Sequence, residues 1–198
     1  MTTRDRVLTE ALASFGSRGY EATSLDQIAA ELGIRKQTIL YYYPSKAELL
    51  DAVIDHSSAA LATVLEEALA DAGPGWARVE AIIRSVFRLA LRRPELLGLL
   101  REVSRLGPPA ATRLTDNLDP LVTRAREFLE TEMAAGNMRT TDARLVLLST
   151  YSTVLGVATE VEVLRAVGIE PTLRSMVIRR RELLRFLRSA LVADGVAG

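Results

Sequence analysis

Residues 23–50 read TSLDQIAAELGIRKQTILYYYPSKAELL, and this stretch decides the fold. Ser24 followed three positions later by Gln27 is the pattern of a helix N-terminus, where serine hydroxyl and glutamine side chain satisfy the first free amides reciprocally. Leu25, Ile28, Ala29 and Leu32 follow at helical spacing. Gly33 breaks this helix, and a second short one runs from about Arg35 to Tyr42, where Pro44 stops it. Ala29 or Ala30 supplies the small residue at which two helices can cross closely. Gly33 tolerates the positive φ of a tight turn, and Ile28, Ile34 and Ile39 can plug a small core. The spacing predicts a helix-turn-helix over Ser24 to Tyr43.

Outward from that stretch the period stays helical. Val7, Leu8, Ala11, Leu12 and Phe15 form one stripe upstream, with Gly19 placed for a left-handed cap. Downstream, Ser45 caps a long helix to about Ala70, and Gly73-Pro74-Gly75 ends it. Further helices are expected over Trp76 to Arg92, Glu95 to Leu106, and Ala110 to Ala135, where Pro120 marks a kink or a new first turn. Asp142 can cap a helix over Ala143 to Val167, and Pro171 opens a last one ending near Val192. About nine helices and no strand make the class all-α. A three-helix domain over residues 1–46 is followed by a helical bundle over residues 47–198.

Composition narrows the chemistry. Hydrophobic residues make up 48% of the 198, enough for a sizeable core, and there is no cysteine. That removes disulfides, thiolate metal sites and a cysteine nucleophile. The single histidine, His56, falls on a long helix with no acid cluster at metal spacing and no glycine-rich phosphate loop nearby. The expectation is therefore no enzyme, no metal and no cofactor. No apolar run reaches the roughly 18 to 20 residues of a membrane span, and no signal pattern opens the chain, so a cytoplasmic address is expected.

Twenty-five basic and 25 acidic residues leave no net charge, yet their distribution is uneven. Only two basic residues are lysines, Lys36 and Lys46, and between Gly33 and Ala47 no acid accompanies Arg35, Lys36 and Lys46. A second helix of a helix-turn-helix presents its N-terminal side chains to a major groove. Arg35, Lys36, Gln37 and Thr38 occupy that end. Arginine and lysine donate to guanine edges, and glutamine pairs with adenine. Tyr41 and Tyr42 place hydroxyls within reach of phosphates, and Lys46 adds a charge.

With ALASFGSRGYEAT ahead of it, the stretch resembles the DNA-binding domain of the tetracycline-repressor (TetR) family from about Val7 to Leu50. That resemblance implies an all-helical, homodimeric, usually repressing regulator. Such a regulator binds palindromic operator DNA and releases it when a small molecule occupies the C-terminal domain. Carried over position by position, it implies phosphate contacts from Thr23 or Ser24. It assigns the recognition-helix start to Arg35, Lys36, Gln37 and Thr38, the aromatic phosphate contacts to Tyr41 and Tyr42, and a basic clamp to Lys46. Leu40 stands where the family usually has tyrosine, Gln37 where it has a small residue, and Tyr43 where it has phenylalanine, so operator sequence is not inherited. Repressor and activator both remain open, since that choice depends on where the operator lies relative to a promoter.

Beyond about Asp55 the expectations rest on periodicity and on the family. Leu145 to Ala158 is apolar or small on nearly every side and should be buried all round. With the final helix it is the natural homodimer surface for a two-fold operator. Arginines 179, 180, 181, 185 and 188 in the last helix read as a solvated or interface-rim face. The effector's identity stays open, but weak polarity along the inner faces points to a hydrophobic molecule. Phe87, Leu100, Glu102, Phe128, Leu148, Tyr151, Ser152 and Leu155 are its candidate contacts, with Trp76 and Arg105 as further markers.

Overall fold

The structure is a computed structural model that describes residues 1–70 and 72–193; Asp71 and residues 194–198 of the expected bundle lie outside the described residues. The described residues form ten helices: α1 (Thr3–Arg18), α2 (Leu25–Leu32), α3 (Lys36–Tyr42), α4 (Lys46–Ala70), α5 (Trp76–Arg92), α6 (Pro94–Leu106), α7 (Ala110–Ala134), α8 (Ala143–Thr159), α9 (Val161–Ala166) and α10 (Leu173–Leu191). Among the described residues there is no strand, only an isolated antiparallel bridge between Met138 and Val192. The helix expected over residues 143–167 is two, because Glu160 adopts φ −80° and ψ 77° and leaves the helical region. Pro120 lies inside α7 without ending it. Gly19 takes a positive φ of 87°, but its ψ of 159° is not that of a left-handed cap.

The chain divides into two compact units, residues 1–63 with 93–119 and residues 64–92 with 120–198. The unit that contains the three short helices thus runs beyond residue 46 and takes in α6. Its buried side chains include Val7, Leu12 and Phe15 of α1, Ile28 of α2, Ile39 of α3, and Leu49, Val53 and Ile54 of α4. Each such side chain contributes about 1.5–3 kcal/mol relative to exposure.

Helix α6 packs along α1 at a crossing made by two glycines. A Cβ on Gly16 would collide with the Glu95 carbonyl, and one on Gly98 with the Gly16 carbonyl. Backbone therefore meets backbone there. One turn further on, Glu102 Oε1 accepts the Tyr20 amide at 2.7 Å, while Arg105 clasps the carboxylate with Nε on Oε2 at 3.0 Å and Nη2 on Oε1 at 2.9 Å. These donors, the Arg105 guanidinium foremost, hold the Glu102 carboxyl below its ordinary range. A depressed folded pKa adds stability that is present above the unfolded value and lost as pH falls through the folded one. Glu102→Gln is expected to cost about 1–2 kcal/mol at neutral pH. The gap from wild type should close as pH drops below about 4. Melting curves from pH 7 to pH 3 check this, and a pH-independent gap would refute it.

The second unit has its own core, in which α5, α8 and α10 pack together. Val79, Ile83 and Phe87 of α5, Leu129 and Met133 of α7, Val146 and Val154 of α8, and Leu183, Leu184 and Leu187 of α10 are buried in it. The expectation that residues 145–158 are buried all round is overturned. Val146 and Val154 face the core, but Leu145 and Leu148 are each 60% exposed and Tyr151 50%. Within this unit α5 and α10 cover one side of α8 only. On α10 Ile178 and Phe186 are likewise exposed, and Arg179, expected at the surface, is buried.

Candidate nucleic-acid interface

The reading head is built by local chemistry. Ser24 Oγ accepts the Gln27 amide at 3.2 Å while Gln27 Oε1 accepts the Ser24 amide at 2.7 Å, closing a capping box. At the other end of α2, Gly33 sits at φ 64° and ψ 33°. From there the Ile34 amide reaches Ala29 O at 3.0 Å and the Gly33 amide reaches Ala30 O at 3.1 Å. This pair of bonds is a Schellman motif, which only a residue at ease with positive φ can make. Arg6 of α1 donates from Nη2 to Leu32 O at 3.0 Å and ties a further carbonyl at that end.

Helix α3 is held by its inward residues, Ile39 and the following Tyr43, both buried; the Arg4 guanidinium lies 5.9 Å from the Tyr43 ring centre. The family-expected aromatic at position 43 is thus a core residue. Arg35 is the N-cap of α3 but makes no capping bond, so its side chain is not committed to the helix end. Arg35 and Gln37 are exposed, and Lys36 and Thr38 are half-buried. Tyr41 is 81% exposed and its ring meets that of Tyr42 edge-on, with centres 5.1 Å apart.

Two basic groups are engaged in ways the sequence did not signal. Lys36 Nζ stands 2.9 Å from Asp26 Oδ2, across the turn on α2. Lys46 Nζ sits 4.0 Å from the centre of the Tyr20 ring, a cation–π contact that holds it beside the head. The lead residue Tyr20 therefore has two roles: its ring seats Lys46 and its amide is held by Glu102.

Thr23 is a correction. It is 1% exposed, and its hydroxyl donates to Gly19 O at 2.8 Å, so it stabilises the turn between α1 and α2 and presents nothing outward. Ser24 is exposed and stays available.

The candidate effector contacts are divided between the two units. Leu100 and Glu102 belong to the first unit, where Leu100 is buried and Glu102 is the clasped carboxylate described above. In the second unit Phe87 is core, and Phe128 and Leu155 are half-buried. Leu148, Tyr151 and Ser152 project outward from the uncovered side of α8 and so line no interior wall.

Residues 7–53 match the family model of bacterial regulatory proteins, tetR family. Among curated proteins the chain is 36% identical over 110 residues to the HTH-type transcriptional repressor DrrR1 of Streptomyces coeruleorubidus, covering 54% of the chain and 39% of that protein. It is 35% identical over 94 residues to the nucleoid occlusion factor SlmA of Pasteurella multocida, covering 48% and 46%. The matches thus span less than half the length of these relatives. Solved structures match throughout. A transcriptional regulator from Saccharomonospora viridis in complex with choline superimposes with a TM-score of 0.78 at 20% identity over 96% of this chain and 97% of that one. The transcriptional regulator FadR of Bacillus subtilis in complex with stearoyl-CoA does so with 0.77 at 15% over 98% and 99%. At such identities the likeness is one of fold.

Proposed function

We propose, from the premise that this chain is a TetR-family transcription regulator, that it binds a two-fold operator as a homodimer and represses until a small molecule releases it. The observation that carries the DNA role is the exposed N-terminal end of α3. There Arg35, Lys36, Gln37 and Thr38 stand together on a helix fixed from behind by Ile39 and Tyr43, with no acid between Gly33 and Ala47. These four enter the major groove, while Ser24, Tyr41, Tyr42 and Lys46 take phosphates on either side.

The exposed stripe of Leu145, Leu148 and Tyr151 on α8 supports pairing of two copies through α8 and α10, as do Ile178 and Phe186 on α10. Residues 47–198 then serve dimerisation and effector binding, with Phe87, Phe128 and Leu155 on the inner side of the effector seat. Choline and stearoyl-CoA, bound by structural neighbours, make a small-molecule effector reasonable for this fold. No helix among the described residues is long and apolar enough to cross a membrane; a cytoplasmic address follows from the operator-binding role proposed here.

Selection of bound sites from random duplex DNA tests the reading: an inverted repeat with half-sites about one helical turn or a multiple apart is expected. A pool with no enriched or symmetric site would refute it. On the selected site, Lys46→Ala should weaken binding evenly across sequences and lower the salt slope by about one unit. A change in sequence preference would contradict its phosphate role.

A further inference from the structure

Between α5 and α10 of the second unit lies a groove of about 370 Å³. Four arginines of α10, Arg180, Arg181, Arg185 and Arg188, line it with Arg84 of α5, against a single carboxylate, Glu80. Three of these five cations are matched: Arg84 Nε donates to Glu80 at 2.8 Å, and Arg181 Nε and Arg185 Nη1 share Glu182 Oε1 at 3.0 and 3.1 Å. Arg180 and Arg188 differ. Both are half-buried, and among the described residues neither guanidinium has a hydrogen bond or an ion pair. With Glu182 counted beside Glu80, five arginines against two acids leave a surplus of three positive charges.

That surplus sits on side chains that are exposed or half-buried, so an arriving anion meets it directly. Eight residues of α10 place the Cα atoms of Arg180 and Arg188 about 12 Å apart on one face. Two long side chains at that spacing can close on neighbouring phosphates of one ligand, where the planar fork gives paired bonds. The rest of the groove is not charged. Val177 and Leu184 line it, with the half-buried ring of Trp76, against which no cation or second ring stands among the described residues. A flat aromatic body can stack there, as bases stack on aromatic side chains. The exposed Ile178 and Phe186, assigned above to pairing, each stand two residues before one of these arginines, about 200° round the helix, so pairing leaves the groove open.

We propose that this groove binds a nucleoside diphosphate or triphosphate, its phosphates on Arg180 and Arg188 and its base against Trp76. The site goes beyond the regulatory reading above and does not depend on it, because occupancy is measured without DNA.

Trp76 is the only tryptophan of the chain, so its fluorescence reports the site directly. Stacking on an indole tolerates any base, which lets ADP serve as the probe. ADP added to the full chain should quench the fluorescence saturably. Calorimetry should give one ADP per chain, with an affinity that falls as salt rises. Adenosine should not bind, and pyrophosphate should bind more weakly and leave Trp76 unquenched. Arg180→Gln and Arg188→Gln should each weaken ADP by about tenfold. Arg174→Gln, which changes an exposed arginine of α10 outside the groove, should leave its affinity unchanged. Trp76→Leu should weaken ADP but not pyrophosphate, which separates a lost stacking surface from a lost fold. No ADP binding would overturn the proposal, as would equal affinity for ADP and pyrophosphate, or an equal loss in all three arginine variants. Displacement of ADP by an equal concentration of a short poly-glutamate peptide would assign the groove to an acidic protein segment and likewise overturn it.

Discussion

Gly98→Ala is expected to destabilise the chain by about 2–3 kcal/mol, the cost of forcing an atom into a filled crossing. In a chain of this length that lowers the melting temperature by roughly 5–10 °C. In an ordinary helix the same change would do the opposite, since alanine is favoured over glycine by about 1 kcal/mol. The sign turns on what the new atom meets. At Gly98 it meets the carbonyl of Gly16, part of the α1 backbone, which cannot rotate away as a side-chain tip could. The helices must separate instead, and α1 loses its close packing against α6. Gly156 is the control within the same chain. Its Cβ would enter open space, so Gly156→Ala should be neutral or stabilising by up to about 1 kcal/mol. Parallel thermal melts of the two variants decide the matter; equal shifts for both would mean the α1–α6 crossing yields to an added methyl group. Since Arg6 of α1 also holds the end of α2, Gly98→Ala should weaken DNA binding as well.

The reading head was legible in the sequence because everything that shapes it is local. The Ser24–Gln27 box, the turn at Gly33 and the buried Ile28 and Ile39 lie within a few residues of one another, and each leaves a mark at fixed spacing. What lay across long stretches of chain was not. Nothing at Tyr20 announces that its amide belongs to a carboxylate 82 positions away, so Glu102 read as a polar mark in a ligand pocket when it is a clasp on the turn after α1. Gly16 and Gly98 carry no signal either, because a glycine needed for close approach and one that merely tolerates it are spelled alike. Thr23 beside an N-cap looks like a phosphate donor until its burial is known. In α8, periodicity registered apolar residues on every side and could not say which side this chain covers itself. Arg179 was lost in a run of arginines whose other members are solvated or partly so.

Lys36→Ala should cost about 1–3 kcal/mol of base discrimination per half-site, close to tenfold or a hundredfold. A homodimer on a two-fold site applies that loss twice. The structure raises an objection to be weighed first, because Lys36 Nζ is already paired with Asp26 at 2.9 Å. Both partners are solvent-exposed, and an exposed ion pair is worth about 0–1 kcal/mol, less at higher salt. On the proposed docking, leaving Asp26 would cost less than a guanine contact returns, so the groove would win. Asp26 would then act as a parking place that lowers affinity for every sequence by the small energy of the pair. Asp26→Asn should accordingly raise affinity for selected and random duplexes by the same few-fold factor, with the preference between them unchanged. Lys36→Ala should instead lower affinity for the selected site far more than for one altered at the contacted pair, so that the two converge. Anisotropy titrations of both variants against both duplexes distinguish these patterns. If Lys36→Ala lowered all affinities in parallel, Lys36 would be a phosphate ligand. Reading would then fall to Gln37 and Arg35, for which no ion pair with an acid is seen among the described residues.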